Sequence, residues 1–172
     1  MFSGLLMTQL LFLSFPALIV FAGSYDIFSK TISNRLCLAI VLAFLPAAVS
    51  VGMGTVEIAS HASCALVMLC AGFALFSAGW IGGGDAKLFA ATTLWLGPAA
   101  MLAYSLNAAL LGGALTLLLL FMRSVTLPAA LLSQGWLVRL HSPNEGVPYG
   151  IALAAAGLMI YPETPFMAAL GG

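Results

Sequence analysis

Charge is the scarcest commodity in this sequence. The 172 residues hold five Lys or Arg and five Asp or Glu, 6% in all, where a soluble domain carries about 25%. Such a chain is an integral membrane protein. Its formal net charge is zero, which speaks against a basic nucleic-acid surface or an acidic tail. Met1 to Gln9 contains no Lys or Arg, so the positively charged start of a secretory signal is missing. The first apolar run continues to Gly23 and reads as a retained spanning helix. Only three cysteines occur, Cys37, Cys64 and Cys70, without a Cys-x-x-Cys pair or zinc spacing; they read as small buried hydrophobes. Gly-x-Ser-x-Gly and His-Glu-x-x-His are both absent, so serine and zinc protease chemistry lacks support. There is no charge run, low-complexity tract, convincing repeat or separate soluble domain.

What is present is apolar sequence, 63% hydrophobic with a mean hydropathy of +1.15. A spanning helix needs about 20 apolar residues. Segments near 5–23, 36–53, 58–78, 86–103, 105–122 and 147–162 qualify. The predicted fold is all-α, a polytopic membrane bundle of about six helices forming one domain over residues 1–172. Gly97-Pro98 interrupts the fourth segment. Either the helix continues through Pro98 with a kink, or the glycine-rich turn before it dips into the membrane, where protein or water must satisfy it. Leu111-Gly112-Gly113-Ala114 could serve close helix packing.

The connections separate by charge. Lys30 and Arg35 fall in the first, Lys87 in the third, Arg123 and Arg139 in the fifth; the second and fourth have no Lys or Arg. Six spans put all five on one side, which the positive-inside rule makes cytoplasmic. The stretch 124–146 reads as an interfacial helix or loop on that face, because a seventh span would place Arg139 outside. Arg123 and Arg139 read as anchors. His61, within the third span and away from this face, reads as a packed or interfacial histidine. His141 and Glu145 have metal-pair spacing, but Ser142-Pro143-Asn144 between them indicates a loop.

Against this background Gly82-Gly83-Gly84-Asp85-Ala86-Lys87 stands out. An ionisable residue within a membrane is a functional-site hypothesis by default, and Asp26 at the end of the first span is a second. Both fall on the same face. Two close carboxylates share one proton, because both cannot ionise cheaply. One then takes a proton from water while the other polarises a peptide carbonyl, with no metal or cofactor required. Gly82, Gly83 and Gly84 would allow tight turns and close approach by an extended substrate. Alternatively each Asp serves the fold, Asp85 as an N-cap before Ala86 and Asp26 as a partner of Lys30. Lys30 and Lys87 either tune the aspartates or anchor the protein at the membrane surface. Asn34 reads as a cap of the second helix or a hydrogen-bonder of the first loop, and Tyr149 as a site hydrogen-bonder or an interfacial aromatic.

Gly-Gly-Gly-Asp85-Ala-Lys87 resembles the Gly-x-Gly-Asp motif of polytopic aspartic proteases, most closely that of the type IV prepilin peptidases. Asp26-Ile-Phe-Ser-Lys30-Thr-Ile-Ser33-Asn34 resembles their other motif, an Asp followed by a basic residue and Ile-Pro-Asn, with Ser33 in place of Pro. Val147-Pro148-Tyr149-Gly150 resembles the family's Pro-Tyr-Gly. The three occur in order and cover about residues 15–160. The resemblance implies an Asp26/Asp85 catalytic pair supported by the three glycines, Lys30, Asn34, Lys87, Pro148, Tyr149 and Gly150. It implies cleavage of a short basic leader from prepilins and pseudopilins, on the cytoplasmic side of the bacterial inner membrane, just before their hydrophobic helix. Long forms of the family also N-methylate pilins and carry an N-terminal cysteine-rich domain that these cysteines do not match. The resemblance is to the short branch found with Flp-type pili, so no methyltransferase activity is expected. The expected partners are prepilin-like substrates and membrane lipid, with no nucleic acid. Other readings are a preflagellin-type peptidase, a small proton or cation transporter using the same carboxylates, or a non-catalytic pilus-assembly subunit.

Overall fold

Prolines and glycines punctuate the apolar runs and decide where each helix starts and stops. A computed structural model describes residues 2–128, 130, 132–143 and 145–171, with side chains described from Met7 to Leu170 within that range. The elements are α1 (Phe2–Ser29), α2 (Asn34–Ser50), α3 (Thr55–Ser77), α4 (Gly83–Ser124), α5 (Gly135–His141), α6 (Tyr149–Ile160), a 3-10 turn (Tyr161–Glu163) and α7 (Pro165–Gly171). Among the described residues there is no strand, so the chain is an all-α bundle. Helices α1, α3 and α4 are long and apolar enough to cross a membrane.

Local chemistry explains the boundaries. Ser33 caps α2, its side chain accepting from the Arg35 amide. The serine that replaces the resembled proline thus supplies the cap, and Asn34 is the first helical residue rather than the cap. At the end of α3, Gly79 takes φ +77 while the Gly79 and Trp80 amides bond Phe76 and Leu75 carbonyls. This is a Schellman ending, which needs a left-handed residue and selects glycine. The end of α2 repeats it with Gly52, whose amide and that of Met53 bond the Val49 and Ala48 carbonyls.

Helix α4 is two helices. Gly97 adopts φ 75, ψ 178, outside helical space, and the chain folds back there. The Phe89 and Tyr104 rings stack with centroids 5.0 Å apart. A straight helix would separate those positions by about 22 Å. The two arms, 83–96 and 98–124, supply the fourth and fifth passes through the bundle. The break therefore falls at Gly97, some seven residues earlier than the hydropathy pattern places it. The Gly97-Pro98 interruption of the fourth segment is thus a chain reversal rather than a kink or a dipping turn.

A proline and a helix break each free a carbonyl, and buried polar side chains reclaim both. Pro16 cannot donate to the Phe12 carbonyl one turn earlier; the Tyr161 hydroxyl does so at 2.7 Å. The end of the first arm of α4 at Gly97 likewise leaves the Leu94 carbonyl without a helical donor, and it lies 2.8 Å from His61 Nδ1. His61 also stacks on Phe44 and is the packed histidine expected. Around these bonds Phe15, Trp95, Tyr161 and Phe166 form an aromatic cluster. Helix α7, not foreseen in the sequence, exists here to insert the fully buried Phe166.

The opposite end carries the basic residues. Lys30 bonds the Gly146 carbonyl, Lys87 bonds Asn34, Arg123 bonds the Leu140 and Glu145 carbonyls, and Arg139 bonds the Phe28 carbonyl. Arg123 and Arg139 therefore staple loops together rather than stand free. Helix α5, with seven residues, is too short to span. Of the 124–146 stretch, Ala129, Leu131 and Asn144 lie outside the described residues.

Candidate active site

Two of the passes are short, and their starts leave a recess. The first arm of α4 has 14 residues, about 21 Å, and α6 has 12, about 18 Å, against a hydrocarbon core of about 30 Å. A Cβ on Gly72 would meet that of Ala86 at 3.0 Å, so Ala86, three residues into α4, lies level with a point five residues before the end of α3. A Cβ on Gly23 would meet the Gly150 carbonyl oxygen at 3.1 Å, six residues before the end of α1. The start of α4 thus lies about 3 Å inside the end of α3, and that of α6 about 8 Å inside the end of α1. The recess is a cavity of about 600 Å³, lined by Asp26, Asp85, Lys30, the three glycines, Pro148 and Tyr149.

Each aspartate meets a helix N-terminus. Asp26, 4% exposed in the last turn of α1, accepts the Gly150 amide at 2.9 Å. That amide belongs to the first turn of α6, where backbone donors are free and the helix dipole favours negative charge. Asp85 is the third residue of α4 and reaches back to the backbone of the N-cap residue Gly82. It is half a capping box and not the N-cap itself. Both carboxylates line the same cavity. Among the described residues no three His, Cys, Asp or Glu side chains group closely enough to hold a metal ion.

The glycines work through space rather than unusual backbone, since none of Gly82, Gly83 and Gly84 has positive φ. A Cβ on Gly82 would lie 2.7 Å from Asp85 Oδ2, on Gly83 3.3 Å from the Phe76 ring, and on Gly84 3.1 Å from Ile32. Their close partners are the protein's own side chains. Gly150 is equally constrained, because its Cβ would sit 2.8 Å from Asp26 Oδ2.

The remaining expected residues divide. Pro148 occupies the N-cap position of α6. Tyr149 lines the cavity and its hydroxyl lies 3.0 Å from Thr116 Oγ1 on the second arm of α4, a bond within the protein rather than an interfacial position. Lys30, left-handed at φ 53, pairs with Glu145 at 3.5 Å and not with Asp26. It ties the 145–148 loop over the end of α1. Lys87 and Asn34 bond each other at 2.8 Å, joining α4 to α2 beside the cavity. Glu145, Trp80 and Ile81 also line the cavity and escaped the sequence reading. Glu145 is one of only five acidic residues, which was the available signal; the sequence reading placed it in a loop after His141 and gave it no role.

The sequence model of the Type IV leader peptidase family matches residues 12–117. The match takes in more than half of the chain, both aspartates and the glycine run. Neither a curated protein nor a solved structure matches. With this match over a membrane-type helical bundle, the chain belongs to the type IV leader peptidase family.

Proposed function

We propose that this protein is a membrane aspartic endopeptidase that removes the leader peptide from Flp-type prepilins and pseudopilins. The observation that carries the reading is the convergence of Asp26 and Asp85, from separate helices, on one cavity. The gathering of all five basic residues at that end supports a cytoplasmic orientation in the bacterial inner membrane, with α5 and its loops at the membrane surface. The whole chain then acts as one membrane peptidase domain.

In this mechanism one carboxylate of the pair is ionised and the other protonated. The ionised one removes a proton from water as its oxygen attacks the scissile carbonyl carbon. The protonated one donates to the carbonyl oxygen, giving a neutral tetrahedral diol. Collapse returns that proton to a carboxylate and transfers the other to the departing amine, which restores the pair. The Gly150 and Gly82 amides hold the carboxylates in place, and Lys30, through Glu145 and Gly146, holds the loop that roofs the cavity. No methyl transfer is assigned to this chain. A proton or cation relay would need carboxylates spread through the membrane depth, whereas these two share one recess; a preflagellin-type peptidase would differ only in its substrate.

The test is co-expression with a Flp-type prepilin in a host lacking other leader peptidases, with leader removal read by mass. Wild type cleaves; Asp26→Asn and Asp85→Asn do not, while remaining folded. Cleavage by either variant would refute the dyad.

A further inference from the structure

Four of the five basic side chains find their acceptors inside the protein. Lys30, Arg123 and Arg139 donate to backbone carbonyls, and Lys87 donates to Asn34. Arg35, exposed in the first turn of α2, is the exception: among the described residues its guanidinium has no protein acceptor. It lines a groove of about 310 Å³ between α1 and α2, together with Phe21, Tyr25, Ser33, Leu36 and Ala39. The Phe21 and Tyr25 rings stack with centroids 5.9 Å apart and form the α1 wall, 58% and 45% exposed. Leu36 and Ala39 belong to the α2 wall. The groove is polar at one end only. Ser33 and Arg35 stand at the start of α2, and the Ser33 oxygen accepts the Arg35 amide at 3.2 Å, which leaves its hydroxyl hydrogen free to donate outward. Ala39 lies one turn beyond Arg35 and Phe21 one turn before Tyr25, each about 6 Å deeper, where the lining side chains are hydrocarbon.

We propose that this groove binds one anionic phospholipid, with its phosphate on Arg35 and Ser33 and an acyl chain along Phe21, Tyr25, Leu36 and Ala39. Charge at one end and hydrocarbon beyond it are the polarity of a lipid standing in its own leaflet. A guanidinium fork matches phosphate oxygens in pairs, and basic pockets between spanning helices are a recurring form of headgroup site. A free inorganic anion would leave the apolar part of the groove empty. A peptide would bring backbone groups that the apolar part cannot satisfy. A zwitterionic headgroup would set its own cation beside Arg35. The site also has a structural consequence. Lys30, Thr31 and Ile32 line the catalytic recess, whereas Ser33 lines the groove, so the α1–α2 turn separates the two. Tyr25 on the groove side immediately precedes Asp26 on the recess side. A lipid held by both helices therefore braces the segment that carries Asp26, and because groove and recess share no lining residue it does so without occupying the substrate's place.

The experiment titrates the detergent-purified full-length protein with short-chain phosphatidylglycerol and follows its unfolding temperature. The temperature should rise and level off as a single site fills. Phosphatidylcholine of the same chain length and glycerol phosphate, which has no chains, should produce no such rise at the same concentrations. Arg35→Gln removes the cation, and Ala39→Trp fills the apolar part while leaving Arg35 in place. Each should raise the half-saturating concentration of phosphatidylglycerol about tenfold or more. No rise with phosphatidylglycerol, or an equal rise with phosphatidylcholine or glycerol phosphate, would overturn the site, as would a wild-type midpoint in either variant. A photo-crosslinking amino acid at Phe21, on the exposed wall, gives a reading that does not depend on those variants folding. In vesicles with equal amounts of the two lipids it should label phosphatidylglycerol in clear preference to phosphatidylcholine; equal labelling would refute the proposal.

Discussion

Gly150→Ala is the sharpest test of how the catalytic recess is built. The new methyl carbon would lie 2.8 Å from Asp26 Oδ2, 2.9 Å from its Cβ and 3.0 Å from its Cγ. Real carbon atoms do not approach so closely, and Asp26 is buried and tied to α6 by its bond from the Gly150 amide. Either α6 or the carboxylate must shift by several tenths of an ångström or more. Overpacking of this kind costs about 1–3 kcal/mol, and a shift also stretches the Gly150 amide–Asp26 bond, a charge-assisted contact worth about 1.5–3 kcal/mol. For activity the displacement matters more than the stability, because misplacing a reacting group by about 1 Å costs on the order of 10²-fold. The assay is initial-rate cleavage of a purified prepilin by detergent-solubilised protein, alongside thermal unfolding. Gly150→Ala should cleave about 100-fold more slowly with a stability loss of about 1–3 kcal/mol. Gly113→Ala, where a Cβ meets nothing within 4 Å, should keep the wild-type rate. A Gly150→Ala rate within about threefold of wild type, equivalent to less than about 1 kcal/mol in the barrier, would refute the claim that this glycine seats Asp26.

Tyr161→Phe removes the donor from the Phe12 carbonyl and should cost about 1–3 kcal/mol, the penalty of an unsatisfied buried acceptor. Pro16→Ala restores the missing helix amide and should cancel most of that loss; chemical unfolding of the double variant without rescue would show the bond is not compensating for the proline. Gly97→Ala faces both a backbone region essentially reserved for glycine, costing about 1–3 kcal/mol, and a contact 2.4 Å from the His61 ring. It should unfold at markedly lower temperature, and His61→Ala in the same chain should recover part of the loss by removing the clash. Cleavage by the wild-type protein should follow a bell-shaped pH profile whose two limbs belong to the aspartate pair, and a Lys30→Met variant should keep that shape while losing the Gly146 and Glu145 contacts; a single-limbed wild-type profile would speak against a shared proton.

The glycine run, the two aspartates and Pro148-Tyr149-Gly150 were legible because each compresses its chemistry into a few adjacent residues. Charge segregation was legible because membranes sort Lys and Arg by side. The bonds that complete the recess were not. Lys87 with Asn34, Lys30 with Gly146 and Tyr149 with Thr116 join positions far apart in the chain, and no local pattern marks a partner at that distance. The carbonyls freed at Pro16 and at the Gly97 break find their donors, Tyr161 and His61, only in the fold. Helix α7 escaped because seven residues carry too little periodicity to register, even though Phe166 closes the bundle.

The aromatic seal at the end remote from the aspartates has an electrical consequence. Hydrolysis requires water at the recess, and a polar recess in a membrane protein becomes an ion leak if it runs through. Phe12, Phe15, Trp95 and Phe166 are fully buried and packed ring against ring, so the aqueous path stops at one end. The transmembrane voltage then falls across this dry aromatic half, and both aspartates sit near the potential of the compartment into which the recess opens. Proton exchange at the pair therefore moves little charge through the field, and cleavage should proceed at the same rate in energised and de-energised membranes.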